Sequence, residues 1–266
     1  MIDFSICIEL AFADGDRPLD ERVRAAADAG FPAVEIWHWR DKPLQALKRA
    51  LQATGTSLHT LCVEDWRDKC RLGDPQSHDR FVHRVVEAAE TATELDCKRL
   101  VVLAGDRIPG LEPDAQRTAA AQALLRAADA ISGRGQQLLL EVVNRDHEGP
   151  NALISDTASA ISLLRTVARP EVNLLYDRYH AILNGEPLGW AITDNMDLVA
   201  HLQLADVPGR HEFGTGTHDW AKELDWLVAA NYSGLLGIEA LPLGDDGALY
   251  AEARVRLEAA MARRES

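Results

Sequence analysis

Eight short apolar runs alternate with eight longer alanine- and leucine-rich segments of helical period along 266 residues, and this alternation constrains the fold more than any other feature. The apolar runs cover 4–8, 33–37, 57–63, 99–104, 137–143, 172–177, 199–206 and 235–239. The helical segments cover 20–29, 43–54, 77–95, 113–133, 155–167, 188–196, 219–230 and 248–263. Helix starts are marked by Asp20 with Glu21, Pro43, Pro113 and Ser155, and stops by Gly30, Gly55 and Gly133. No Ser/Gly-rich linker separates the repeats, so the sequence predicts an α/β fold, a single (β/α)8 TIM barrel domain over 1–266. An open doubly wound sheet is the alternative, but the turn ELAFADGD after the first run has no GxGxxG.

In a barrel of this kind the loops that follow the strands gather at one face, and residues at the strand C-termini point into a common cup. Reading what ends each run therefore locates the chemistry. The ends supply Glu9; Glu35, Trp37 and His38; His59, Cys62 and Glu64; Ala104 to Arg107; Glu141 with Asn144; Asp177 with His180; Gln203 with Asp206; and Glu239. Glu141, Asp177, Gln203 and Glu239 close four consecutive runs (LLLE, LLYD, HLQ and LGIE) and should share one quadrant of the cup. Three carboxylates so close repel unless they are protonated or bridged by a cation. Carboxylates with one amide carbonyl suit a hard divalent ion, Mg²⁺ or Mn²⁺, better than Zn²⁺, although His180 and His201 keep zinc open.

One further stretch, HLQLADVPGRHEFGTG over 201–216, runs from an apolar strand directly into a glycine-punctuated polar loop. A glutamine between two leucines and an arginine on a glycine turn read as the rim of a polar site rather than as core. Trp37, Trp39 and Trp66 are candidates for an apolar wall, and the charged loop 64–75 for a lid.

The net charge of −14 argues against a nucleic-acid or anionic-membrane partner recognised through the general surface. No uninterrupted apolar run reaches transmembrane length, and MIDFSICIEL lacks the basic start and apolar core of a signal peptide. Cys7, Cys62, Cys70 and Cys97 form no CxxC pair, which fits free thiols in a cytoplasmic protein.

Several stretches together carry a family resemblance: FPAVEIW, RLGDP, KRLVVLAG, EVVNRDHEGPNALI, LLYDRYHAILNGE, HLQLADVPGRHEFGTG and the closing GIEA. From end to end the chain resembles the hydroxypyruvate isomerase branch of the xylose-isomerase-like TIM barrels, with the PGR-x-E-x-GTG loop as the most specific match. The resemblance implies that Glu141, Asp177, Gln203 and Glu239 hold a divalent metal and that Glu141 and Glu239 form the acid–base pair. It also implies that His180 and Arg210 contact substrate oxygens, that Glu35 and His59 line the cup, and that the protein is a homo-oligomer. Two departures bear on substrate identity: Glu239-Ala240-Leu241-Pro242 stands for the family's Glu-Tyr-x-Pro, and Thr217-His218-Asp219 for Glu-Ile-Asn.

The expected chemistry is interconversion of a small 2-hydroxy carbonyl compound, a keto acid or sugar, through an enediolate whose charge the metal neutralises. Hydroxypyruvate and tartronate semialdehyde are the leading pair, with Arg210 forking onto the substrate carboxylate or a terminal hydroxyl. Ketose 3-epimerisation and polyol dehydration use the same groups and remain alternatives, as does a sugar-sensing or assembly subunit without turnover.

Overall fold

A computed structural model describes residues 2–146 and 148–265; His147, inside the EVVNRDHEGPNALI stretch, lies outside them. Eight parallel strands close into a barrel in chain order: β1 Asp3–Cys7, β2 Ala33–His38, β3 Ser57–Cys62, β4 Arg99–Leu103, β5 Gln137–Glu141, β6 Val172–Asp177, β7 Val199–Leu204 and β8 Leu235–Ile238. Asp3 to Ile6 pair with Leu235 to Ile238 and complete the closure. The chain thus forms the single TIM barrel that the alternation predicts. Among the described residues no helix is long and apolar enough to cross a membrane.

Helices α1 Leu19–Asp28, α2 Leu44–Thr54, α3 His78–Glu94, α4 Pro113–Ile131, α5 Thr157–Val167, α6 Arg178–Leu183, α7 Trp220–Ala229 and α8 Leu249–Glu265 surround the sheet. Their starts follow from side chains that satisfy free backbone N–H groups: Asp156 accepts from Ser159 and Asp219 from Lys222. The helix predicted over 188–196 is not formed. The sixth helix begins directly after β6, where the Asp177 side chain accepts from the Tyr179 N–H, and it ends before Gly185. Gly189 and Ala191 both hold positive φ, so the chain can make only a short 3-10 turn at Thr193–Leu198.

The period-2 alternation of a strand sorts the side chains into two layers. Leu138 and Leu140 of β5, Leu174 of β6, Leu202 and Leu204 of β7 and Leu236 of β8 face outward and pack under the helices. Leu139 and Leu175 join Val101 in a small separate cluster inside the barrel. Two residues further along each strand the same inward parity delivers Glu141 and Asp177, and on β7 and β8 it carries His201 to Gln203 and Gly237 to Glu239. The site is thus built by strand parity. The inward position of Gly237 has no room for a side chain, because a Cβ there would lie 2.3 Å from Glu35 Oε1, 2.8 Å from His201 Nε2 and 3.0 Å from Gln203 Cγ.

The substitution Gly237→Ala should therefore cost roughly 1–3 kcal/mol through overpacking against groups that cannot yield, read as a lowered urea midpoint at unchanged slope. Wild-type stability in the variant would remove the argument for a packed polar layer.

Candidate active site

The floor of the site is a buried polar layer built around Glu35. Its Oε1 accepts from Ser5 Oγ at 2.5 Å and faces His201 Nε2 at 2.9 Å. Its Oε2 accepts from Thr60 Oγ1 at 3.1 Å and from Gln203 Nε2 at 2.9 Å. Burial alone would raise the proton affinity of this carboxyl, but the adjacent His201 and the donated hydrogen bonds outweigh it and hold the group well below the usual carboxylate range. A carboxylate can only accept, so the Gln203 amide must present Nε2 to Glu35. Its carbonyl Oε1 is then left buried without a partner among the described residues.

Above this floor, Glu141, Asp177 and Glu239 stand close together. Asp177 and Glu239 are 3% and 4% exposed. Asp177 Oδ1 accepts from the Tyr179 N–H at 2.8 Å, and Glu239 Oε1 accepts from Trp37 Nε1 at 2.6 Å. Their other oxygens meet one arginine: Arg210 Nη2 lies 3.2 Å from Asp177 Oδ2 and 3.1 Å from Glu239 Oε2. Burial, followed by repulsion from Glu239 and Asp177, pushes the Glu141 carboxyl well above its ordinary range. Burial raises Glu239 to about 7, with Arg210 pulling the other way and Asp177 and Glu35 adding to the rise. Asp177 is raised as well, chiefly by burial.

His180 stands beside this group, its Nε2 lying 3.7 Å from Glu141, 3.4 Å from Asp177 and 3.6 Å from Glu148. Its Nδ1 accepts from the Asn144 backbone N–H at 3.2 Å. A backbone N–H can only donate, so the neutral ring carries its proton on Nε2 and presents a donor to the carboxylates. Burial and the nearby Arg210 lower His180 to about 3, which keeps it neutral. The ligating atoms of Glu141, Asp177 and His180 lie within 4.8 Å of one another, a spacing a metal ion could bridge. The tautomer makes the carboxylates the better donors. On the neighbouring strand Gln203 pairs with Asp177, and its orphaned carbonyl, like the carboxylates, is an oxygen donor of the kind a hard divalent cation takes.

A cavity of about 620 Å³ opens over the cluster, lined on the inside by Glu141, His180, Arg210, Glu239, Trp37 and Cys62, and at the mouth by Glu64, Asp65, Trp66, Arg67 and Lys69. Four of the eight predicted site residues, Glu141, Glu239, His180 and Arg210, reach this wall, while Asp177 and Gln203 lie just beneath it. Glu35 and His59 do not line the cup. Glu35 sits in the floor. His59 falls at a register shift where Val34 pairs with Leu58 but Glu35 pairs with Thr60, and this bulge turns its ring down onto His201, 4.6 Å between centroids. Of the two departures from the family pattern, Leu241 lines the cavity, but Thr217-His218-Asp219 is absent from its wall. His218 instead pairs with Glu223 at 2.7 Å and Asp219 caps α7.

Other contributors were not legible as such. Trp37, read as an apolar wall, is a hydrogen-bond donor to Glu239. Trp39 is only partly buried against the outer core, and Trp66 stands half exposed at the mouth. Glu148 bonds Arg210 Nη1 at 3.4 Å. Asp206 is fully buried and organises the 201–216 loop, accepting from the backbone N–H groups of Val207, Gly214 and Gly216 at 2.8, 2.8 and 3.0 Å. Gly216 is required there, since a Cβ would fall 2.0 Å from the Val207 carbonyl.

A family model described as xylose isomerase-like TIM barrel matches residues 23–260. The chain belongs to that family. It is 35% identical over 259 residues to a putative hydroxypyruvate isomerase of Streptomyces coelicolor, covering 91% of both chains. It is 28% identical over 261 residues to a 2-oxo-tetronate isomerase of Pectobacterium atrosepticum, covering 95% of this chain and 97% of that one. Among solved structures, one described as AP endonuclease, family 2, from Brucella melitensis superposes with a TM-score of 0.86 at 26% identity, over 96% of this chain and 99% of that one. The chain is an isomerase.

His59 offers a test of the buried layer. Burial, then the neighbouring His201, lowers it to about 3, whereas an unfolded histidine titrates near 6.5. Between these values the unfolded chain binds a proton the folded one refuses, so folding stability falls as pH drops through that window. His59→Gln should flatten this limb by up to about 1.4 kcal/mol per pH unit, measured as urea midpoints between pH 6.5 and 4; an unchanged slope would contradict a neutral buried ring.

Proposed function

We propose that this isomerase moves the carbonyl of a small 2-hydroxy carbonyl acid between adjacent carbons, as in the interconversion of hydroxypyruvate and tartronate semialdehyde, with a divalent cation, Mg²⁺ or Mn²⁺, held by Glu141, Asp177, Gln203 and Glu239. The observation that carries the reading is Gln203: its amide is locked by Glu35 so that its carbonyl oxygen is buried without a partner among the described residues, on a strand whose neighbours carry Asp177 and Glu239. Carboxylates as crowded as Glu141, Asp177 and Glu239 stay ionised together only with positive charge beside them, which a divalent cation supplies. The relatives named hydroxypyruvate isomerase and 2-oxo-tetronate isomerase support the same substrate class. When bound, the ion supplies neutralisation of the negative charge that develops on the two substrate oxygens.

The remaining work falls to the side chains. Glu239 takes the proton from the hydroxyl-bearing carbon and returns it to the neighbouring carbon, its carboxylate held by the Trp37 indole N–H. Glu141, on the other side of the cluster, serves as its partner in proton transfer. The Nε2 proton of His180 is directed at a substrate oxygen, and the charge of Arg210 attracts the substrate carboxylate. Cys62, Val101, Leu103 and Val143 supply an apolar wall that limits water around the enediolate. The absence of a membrane-spanning helix among the described residues and the free cysteines fit a cytoplasmic protein.

Incubation with Mg²⁺ and hydroxypyruvate in D₂O should give tartronate semialdehyde carrying solvent deuterium at the proton-accepting carbon, seen by NMR. Glu239→Gln and Glu141→Gln should each lower kcat about 100-fold or more, and EDTA should abolish turnover. Product free of deuterium would point to a hydride shift, and exchange without carbonyl migration on a ketose substrate to an epimerase.

A further inference from the structure

We propose that Arg210 competes with the cation for the site, its Nη2 nitrogen standing at the point between Asp177 and Glu239 that a divalent ion would take, so that ion binding drives the guanidinium out into the cavity. The inference rests on the metal reading above and goes beyond it. Each of the two carboxylates has one oxygen already committed, Asp177 Oδ1 to the Tyr179 N–H and Glu239 Oε1 to the Trp37 indole. The oxygens left over, Asp177 Oδ2 and Glu239 Oε2, converge on the same nitrogen, Arg210 Nη2, at 3.2 and 3.1 Å. Two cations cannot share that point. Like charges a few ångströms apart in a site so poorly solvated repel strongly, and the oxygens cannot contact both at once.

The backbone around Arg210 is too well anchored to leave with the side chain. Its carbonyl accepts from the Leu241 N–H at 2.7 Å, and the loop on either side is gathered onto Asp206. The change is therefore a rotation of the side chain. Its Nη1 already reaches Glu148, and its guanidinium carbon lies 5.0 Å from the centre of the Tyr179 ring, so partners exist on the cavity side for the displaced group. Once displaced, the guanidinium places a fixed positive charge in the cavity beside the ion. An anionic substrate then binds more tightly after the metal than before it, and by linkage it tightens the metal in return. Arg210 thus selects for a carboxylate-bearing substrate over a neutral ketose of the same length, through the order of binding as well as through contact.

Calorimetric titration with Mn²⁺ tests the competition directly. Arg210→Met should bind Mn²⁺ about tenfold or more tightly than wild type, and R210K should fall between them. In the wild-type protein, the arginine Nε resonance that R210K removes should shift in step with Mg²⁺ saturation in ¹⁵N–¹H spectra, because the 3.2 Å bond from Nε to the Glu239 carbonyl is lost. Equal or weaker Mn²⁺ binding by a folded R210M, or an Arg210 resonance that does not move while Mg²⁺ binds wild type, overturns the proposal; the second readout decides alone if R210M does not fold. Absence of any ion binding to wild type and R210M alike would overturn the metal reading itself.

Discussion

Glu141, Asp177 and Glu239 are carried to one place by β5, β6 and the end of β8, and none of them can be moved without changing the parity of a strand. They are crowded and poorly solvated: Glu239 and Asp177 push Glu141 up, and Asp177 pushes Glu239. The neighbourhood of the cavity is arranged around relieving that repulsion. The Tyr179 N–H, the Trp37 indole and the Arg210 guanidinium each take a share of the negative charge. These donors keep the carboxylates ionisable at a depth where an unpaired charge would cost several kcal/mol.

The layer beneath performs a different task with the same chemistry. Glu35 is surrounded by Ser5, Thr60, His201 and Gln203, and its charge is stabilised by donors rather than by solvent. Because this carboxylate takes the Gln203 Nε2, the amide is fixed and its carbonyl is left without a partner among the described residues. Gly237 makes room for the network by having no side chain. A hydrocarbon-filled barrel centre would pack as well but would leave Gln203 free to turn over, and the amide would then offer its nitrogen as readily as its oxygen. The polar floor thus fixes the orientation of the Gln203 amide.

The barrel was legible because its signal is repeated. Eight apolar runs of strand length, spaced by helical segments, leave few other architectures, and all eight runs became strands within a few residues of their expected ends. The one failed helix, over 188–196, failed for a local reason: Asp177 caps a helix immediately after β6, and positive φ at Gly189 and Ala191 breaks the later segment. Strand parity also explains why the ends of β5, β6, β7 and β8 were readable as a group, since each chemical residue follows an inward-facing partner by two positions. His59 escaped that rule because a bulge in β3 is a property of strand pairing, which no window of β3 alone contains.

By itself, then, the order of residues determined the closed barrel, the face on which its chemistry lies and the oxygen-rich character of the four strand ends, because each of these follows from local periodicity and residue type. Tertiary structure decided which partners those groups meet. That Glu35 locks Gln203, that Trp37 donates to Glu239, that Asn144 sets the His180 tautomer and that Arg210 stands between two carboxylates all join residues far apart in sequence. Hydrogen bonds of that kind depend on distances of a few tenths of an ångström, and only closure of the barrel brings the strands to those distances.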